Sequence, residues 1–192
     1  MEVDYKLLKP YVITLTRKSP DIKSYKKLID AGVSGAIVEA GYLYTTEHKH
    51  EKSFRNQKAY DQIDGALAAG LATGWLMYGR AKTTTEAYAE MAEFAYPIRK
   101  YPPVLGAWIK LEIDGKNIDE NDKIVDVYYD ELFQLGLQGK VGLMCTKSTL
   151  KKIHWSQKQH NWNLWIVDHV KTATELSSLL NPAFFDVGGK YV

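Results

Sequence analysis

Thr73-Gly74-Trp75-Leu76-Met77-Tyr78 is a short apolar run, and it is followed five residues later by Thr83 with Glu86 three positions on. The run is too short for a buried helix and ends in aromatic and long apolar side chains, so it reads as a strand. Thr83 and Glu86 have the spacing of a capping box. The hydroxyl accepts the backbone N–H of the third helical residue, and the carboxylate reaches back to the cap, which opens a helix through about Tyr96. Pro97 is expected to end that helix or to lie just past its end. A strand feeding directly into an amphipathic helix is a βα unit, and a chain of such units makes a parallel sheet covered by helices.

The same alternation extends in both directions. Upstream, Tyr11 to Thr16 reads as a first strand, Ser19-Pro20-Asp21 supplies turn and cap chemistry for a helix through Ala31, and Gly32 closes it. Gly35 to Glu39 is a second strand. A polar loop from about Gly41 to Ser53 and a helix from Arg55 to Ala69, stopped by Gly70, follow it. Downstream come a strand from Val104 to Ile113, a turn at Asp114-Gly115 and a helix from Asp122 to Gln134. Next are a strand from Val141 to Cys145 with a short helix from Ser148 to Ile153, and a strand from Leu164 to Val167. A helix from Thr172 to Leu180 and a closing strand from Phe184 to Val187 complete the series. No linker or low-complexity segment interrupts it, so residues 1–192 are expected to form one α/β domain, a (β/α)-barrel of the TIM type or an irregular version of it.

The bulk composition narrows the function classes. A net charge of +2 gives no general attraction for nucleic acid or an anionic membrane, and neither partner is expected. The N-terminus, Met1-Glu2-Val3-Asp4-Tyr5, lacks the basic-then-apolar order of a secretory signal, and no apolar run reaches membrane-spanning length. The protein is expected to be made in the cytoplasm and not to insert into membranes. The single cysteine, Cys145, lies in an apolar strand and is expected to be a buried thiol. Without a glycine-rich phosphate loop, nucleotide chemistry is unsupported, and no cofactor is expected.

Several segments stand out by their order and spacing. Asp21 to Ala40 carries an Asp-Ile opening, a Lys-Lys-Leu helix core, Ala31-Gly32-Val33 and a strand ending Val38-Glu39-Ala40-Gly41. Phe54-Arg55-Asn56 is followed by Ala66, Ala69-Gly70-Leu71 and Gly74. Thr85-Glu86-Ala87, Phe94, Pro102-Pro103-Val104-Leu105 and a strand bearing Glu112 complete the series. Across residues 10 to 190 the chain resembles the glycoside hydrolase family 25 muramidases, or lysozymes. The resemblance implies a barrel with an active site at the C-terminal ends of its strands.

That family has an Asp at the end of the first strand, an Asp-x-Glu pair near the fourth and another Asp near the C-terminus. Glycoside cleavage needs a proton donor to the leaving oxygen and a second carboxylate to support the transition state. Matched residue by residue, the first Asp falls on Thr14, the pair falls on Lys110-Leu111-Glu112 and the late Asp falls on Asp186; a groove-lining Tyr falls on Leu76. Two acids are therefore missing. Lys110, two residues from Glu112 on one strand face, is expected to favour an ionised carboxylate, the opposite of what a general acid requires.

Three functions follow from the resemblance. The first is a catalytically inactive muramidase-like domain that acts as a structural or binding component with other protein subunits, in a phage virion tail or baseplate by analogy. The second is an active peptidoglycan muramidase using Glu112 with Asp186 or Glu39. The third is a glycan-binding pseudoenzyme. Other candidates have plainer explanations. Glu39 is expected to be a solvated rim residue. His48 and His50 beside Glu47 are expected to be a solvated loop tip, so no metal is expected. The Trp155 to Trp165 stretch is expected to be a packing surface for another subunit or a sugar platform.

Overall fold

The computed structural model describes residues 11–42, 54–113, 115, 117–158, 161–168, 186–187 and 190–191. Six parallel strands curl into a half-barrel in the order β1 (Tyr11–Leu15), β2 (Val33–Tyr42), β4 (Ala72–Gly79), β5 (Ala107–Leu111), β6 (Val141–Cys145) and β7 (Asn163–Asp168). Two-residue β3 (Phe54–Arg55) lies antiparallel on β2. β8 (Asp186–Val187) extends the sheet parallel to β7, and β9 (Lys190–Tyr191) runs antiparallel to β8. The helices are α1 (Tyr25–Asp30), α2 (Ala59–Ala68), α3 (Thr84–Lys100), α4 (Ile118–Gln134), α5 (Lys147–Leu150) and α6 (Trp155–Lys158). This is the α/β, irregular (β/α)-barrel architecture that the alternation predicts.

Because side chains alternate across each strand, the sheet sorts its apolar residues into two cores. Ile37, Leu76, Trp108, Met144 and Trp165 fill the concave interior, with Val12, Leu105 and Val167 packed against them. The intervening residues, among them Val38, Trp75, Met77, Ile109, Leu143 and Cys145, face the helices and meet Ile63, Met91, Phe94, Ile124 and Leu132. The interior is held by two indoles in a T-shaped contact, Trp108 and Trp165, with centroids 5.7 Å apart. Trp108 fits because its neighbour is Gly142, where an added Cβ would fall 2.2 Å from the ring. Gly106, at φ +81, turns the chain into β5 in a left-handed conformation open to glycine.

Several boundaries differ from the sequence reading, each for a local reason. α3 continues through Pro97 to Lys100, because burial of Ala95 and Ile98 holds the last turn despite the missing N–H, and Tyr101 N–H closes on Pro97 O at 2.9 Å. α2 begins at Ala59 and not at Arg55, since Asn56 Oδ1 accepts from Lys58 N at 3.1 Å and forms a turn before the helix. α4 begins at Ile118, four residues early, because Asn117 Oδ1 caps Glu120 N at 2.9 Å. β5 stops at Leu111, leaving Glu112 one residue beyond the strand, although Glu112 N still donates to Gly79 O at 2.9 Å. The short helix expected at 148–153 is a single turn, α5, and a further turn not expected from the sequence, α6, follows it.

The Trp-rich stretch is also corrected: Trp162 and Trp165 are buried in the two cores, and Trp155 packs against the outer one. Its tryptophans pack inward and do not form a surface platform. The helix expected at 172–180, Phe184, Phe185, His48 and His50 lie outside the described residues. Among the described residues no helix is long and apolar enough to cross a membrane.

Candidate functional site at the barrel mouth

Parallel strands deliver their C-terminal residues to one end of the sheet. Thr14 is the penultimate residue of β1, Glu39 lies late in β2, Tyr78 late in β4, and Lys110 is penultimate in β5 with Glu112 just past it. Register links them directly, since Tyr78 pairs with Lys110, and Glu39 pairs with Leu76 two residues before Tyr78. The mouth is thus lined by Thr14, Glu39, Tyr78, Lys110 and Glu112 above the Trp108–Trp165 floor.

Glu112 is held from two sides. Lys110 Nζ lies 3.3 Å from Oε1, while Arg80 donates to Oε2 from Nε at 2.9 Å and Nη2 at 2.8 Å. Both oxygens therefore face cations, whereas a general acid has to present an oxygen to the leaving group. The three side chains are each about one-third exposed, with relative exposures of 30–34%. Solvent screens them, and the clamp orients Glu112 more than it stabilises the fold. Lys110 also lies 4.7 Å from the centroid of the Tyr78 ring, and Arg80 5.7 Å.

Glu39 is not the solvated rim residue that the sequence suggests, being only 2% exposed. Burial raises its carboxyl above the ordinary range, against the opposing fields of Arg17 and Lys110, the Arg17 backbone N–H and Lys18. Its backbone is anchored from α2 and the turn before it: Asn56 Nδ2 donates to Glu39 O at 2.9 Å and to Gln62 Oε1 at 2.9 Å, and Gln62 Nε2 donates to Thr16 O at 3.0 Å. This buried amide pair ties the ends of β1 and β2 together. Burial, with Glu39 and Glu112 nearby, pushes the Tyr78 hydroxyl to about 12, so it remains a neutral donor and acceptor at any physiological pH.

Thr14, where the family pattern places an acid, is 6% exposed, and its hydroxyl has no hydrogen-bond partner among the described residues. Leu76, on which the resemblance puts a Tyr, packs in the apolar interior, while Tyr78 stands one step further along the same face. Asp186 belongs to β8, its backbone paired with Val167; its side chain lies outside the described residues. Arg80 and Arg17 escaped the sequence reading. Arg80 was detectable in principle, since β4 runs to Gly79 and the next residue must emerge at the mouth.

Among the described residues one group brings three metal-ligating side chains together, Asp119, Asp122 and His154, with ligand atoms within 4.8 Å of one another. Both Asp122 oxygens already serve His154, accepting from its backbone N at 2.9 Å and meeting Nδ1 at 2.6 Å. That pair fastens the first turn of α4 to the segment before α6.

No protein-family model and no curated protein sequence matches the chain. Solved structures do match it, and the fold is that of the glycoside hydrolase family 25 muramidases. GHIP, described as a glycosyl hydrolase 25 of Streptococcus pneumoniae, aligns with TM-score 0.69 at 16% identity over 97% of this chain and 83% of that one. The modular autolysin LytC of the same species aligns with TM-score 0.67 at 20% identity over 85% of this chain, which spans 38% of LytC; LytC has also been solved with a synthetic peptidoglycan ligand. The catalytic domain of endolysin ply40, from bacteriophage P40 of Listeria monocytogenes, aligns with TM-score 0.59 at 13% identity over 84% of this chain and 75% of that one.

Proposed function

We propose that this chain is a muramidase-fold domain that has lost glycoside hydrolysis and serves as a structural or binding component of a protein assembly. The observation that carries this reading is the Arg80–Glu112–Lys110 clamp. It occupies both oxygens of the one family acid that survives in the described mouth, while Thr14 and Lys110 replace the other two. A phage virion, at the tail or baseplate, is the assembly proposed, by analogy only with the fact that one neighbour of the fold, endolysin ply40, is encoded by a bacteriophage.

A second reading, a glycan-binding pseudoenzyme, is favoured by the Thr14 hydroxyl, buried and without a hydrogen-bond partner among the described residues, and by the neutral Tyr78 hydroxyl. These are groups a sugar could satisfy without being cleaved. The LytC complex with a peptidoglycan ligand supports that class of glycan.

The test is turbidity clearing of purified cell walls beside an active family muramidase, with a parallel pull-down from the native source. The expected result is no clearing by this chain and stable association with other proteins. Retention on insoluble peptidoglycan without a protein partner would select the second reading. Robust clearing abolished by Glu112→Gln or Glu39→Gln would overturn both.

A further inference from the structure

Arg80 does not reach Glu112 unaided. It sits in the turn 79–81 that follows β4, and that turn is fastened from the helical side of the sheet by a carboxylate that takes no part in the mouth. Glu90, on α3, is 1% exposed. Arg80 N donates to its Oε1 at 3.1 Å and to its Oε2 at 3.3 Å, and the Tyr128 hydroxyl of α4 donates to Oε2. Ala81 N in turn donates to the Tyr128 hydroxyl at 3.4 Å. Gly79 allows the close approach, since a Cβ there would fall 2.7 Å from Ile109 Cγ2 and 2.9 Å from the Tyr128 ring. One residue therefore has its backbone on a buried carboxylate and its guanidinium on a mouth carboxylate.

We propose that Glu90 is the positioning residue of the mouth: by holding the 79–81 turn it aims Arg80 at Glu112, and by taking up a proton it lets that clamp slacken. An ionised Glu90 accepts from Arg80 N and from Tyr128 through charge-assisted bonds. A protonated one carries a donor on one oxygen, so one of those bonds turns away and the other weakens. The groups that face Glu90 are Tyr128 from α4, Arg80 and Ala81 from the turn, and Glu86 from its own helix; Arg55 and Glu93, paired with each other, line the same cavity of about 540 Å³ as Glu90. Burial is the largest influence and the neighbouring Glu86 adds to it, while the Tyr128, Arg80 and Ala81 donors oppose them; the outcome is a carboxyl pushed up to about 7. The mouth is thus coupled to pH through a group behind the sheet, whether or not it binds a glycan.

The test is NMR on the full chain, following the Arg80 Nε–H resonance and the carboxyl carbons of Glu90 and Glu112 against pH. The expected result is a step in Arg80 with the midpoint of Glu90, near 7, which vanishes in Glu90→Gln. Tyr128→Phe removes a donor that favours the ionised carboxylate, so it should raise both midpoints together, and it serves as the test if Glu90→Gln fails to fold. An Arg80 resonance that stays flat while Glu90 titrates, or that follows Glu112 instead, would overturn the proposal. So would a Tyr128→Phe chain in which only the Glu90 midpoint moves.

Discussion

Trp108 rests directly on the bare α-carbon of Gly142, across the β5–β6 pair, at a distance where any side chain on residue 142 would enter its ring. The size of the indole and the absence of a side chain opposite it are one design choice made in two places.

Gly142→Ala should therefore destabilise the fold by about 1–3 kcal/mol through overpacking. Combining it with Trp108→Leu should cost less than the two single changes added, because the smaller residue vacates the space. A double-mutant cycle by chemical denaturation reads the coupling; strict additivity would show that the two residues do not share a volume.

Restoring hydrolysis needs more than the two missing acids. Thr14→Asp with Lys110→Asp leaves Arg80 bound to Glu112 Oε2, so the double variant should clear cell walls no better than the natural chain. Adding Arg80→Gln should release Glu112 and recover part of the about 10²–10⁴-fold that a positioned general acid contributes. Equal activity in the double and triple variants would mean that Arg80 is not the obstacle.

Glu90 gives stability a definite pH slope. Its carboxyl is raised in the fold from an ordinary value near 4.5 to about 7, so the folded chain holds the proton more tightly than the unfolded one across that window. The contribution is present below about 4.5 and is lost as pH rises through about 7, by about 3 kcal/mol. Urea denaturation of the natural chain and of Glu90→Gln should show a stability difference that shifts in favour of the variant over this range and levels off above it. A difference independent of pH would show that Glu90 is not raised.

The Asp122–His154 contact is a structural fastening, and its loss has a chemical signature. Asp122→Ala removes the acceptor for the His154 backbone N–H and for its ring, with an expected cost of about 1–3 kcal/mol. Asp122→Asn keeps one carbonyl for the backbone N–H and should cost less. Thermal denaturation ranks the two, and an equal loss in both would place the effect on charge and not on the backbone bond.

The alternation of apolar strands and capped helices was enough to specify the order of the six parallel strands and of α1 to α5, but not short β3, α6 or β9, because the longer elements are decided by periodicity and caps within a dozen residues. Gly32 and Gly70 end α1 and α2 at positive φ, as their positions suggest. Boundaries were less legible where a side chain outranks propensity, as with Asn117 capping α4 early or Ile98 carrying α3 past Pro97. At the mouth, Lys110 and Glu112 were visible as neighbours two residues apart in the sequence. The burial of Glu39 was not, because it depends on Asn56 from the turn before α2 and Gln62 from α2 arriving to hold its backbone. Nor was the link from Glu90 through Arg80, which joins residues from three separate elements.

The buried thiol at the end of β6 can serve as a clock. Cys145 is the only cysteine in the chain and is 2% exposed, on the helix-facing side of a central strand. A thiol reagent can reach it only when the helical layer lifts from the sheet. Where reclosing outpaces the chemistry, the labelling rate relative to an unfolded control gives the equilibrium fraction of open molecules, with no mutation and no denaturant required.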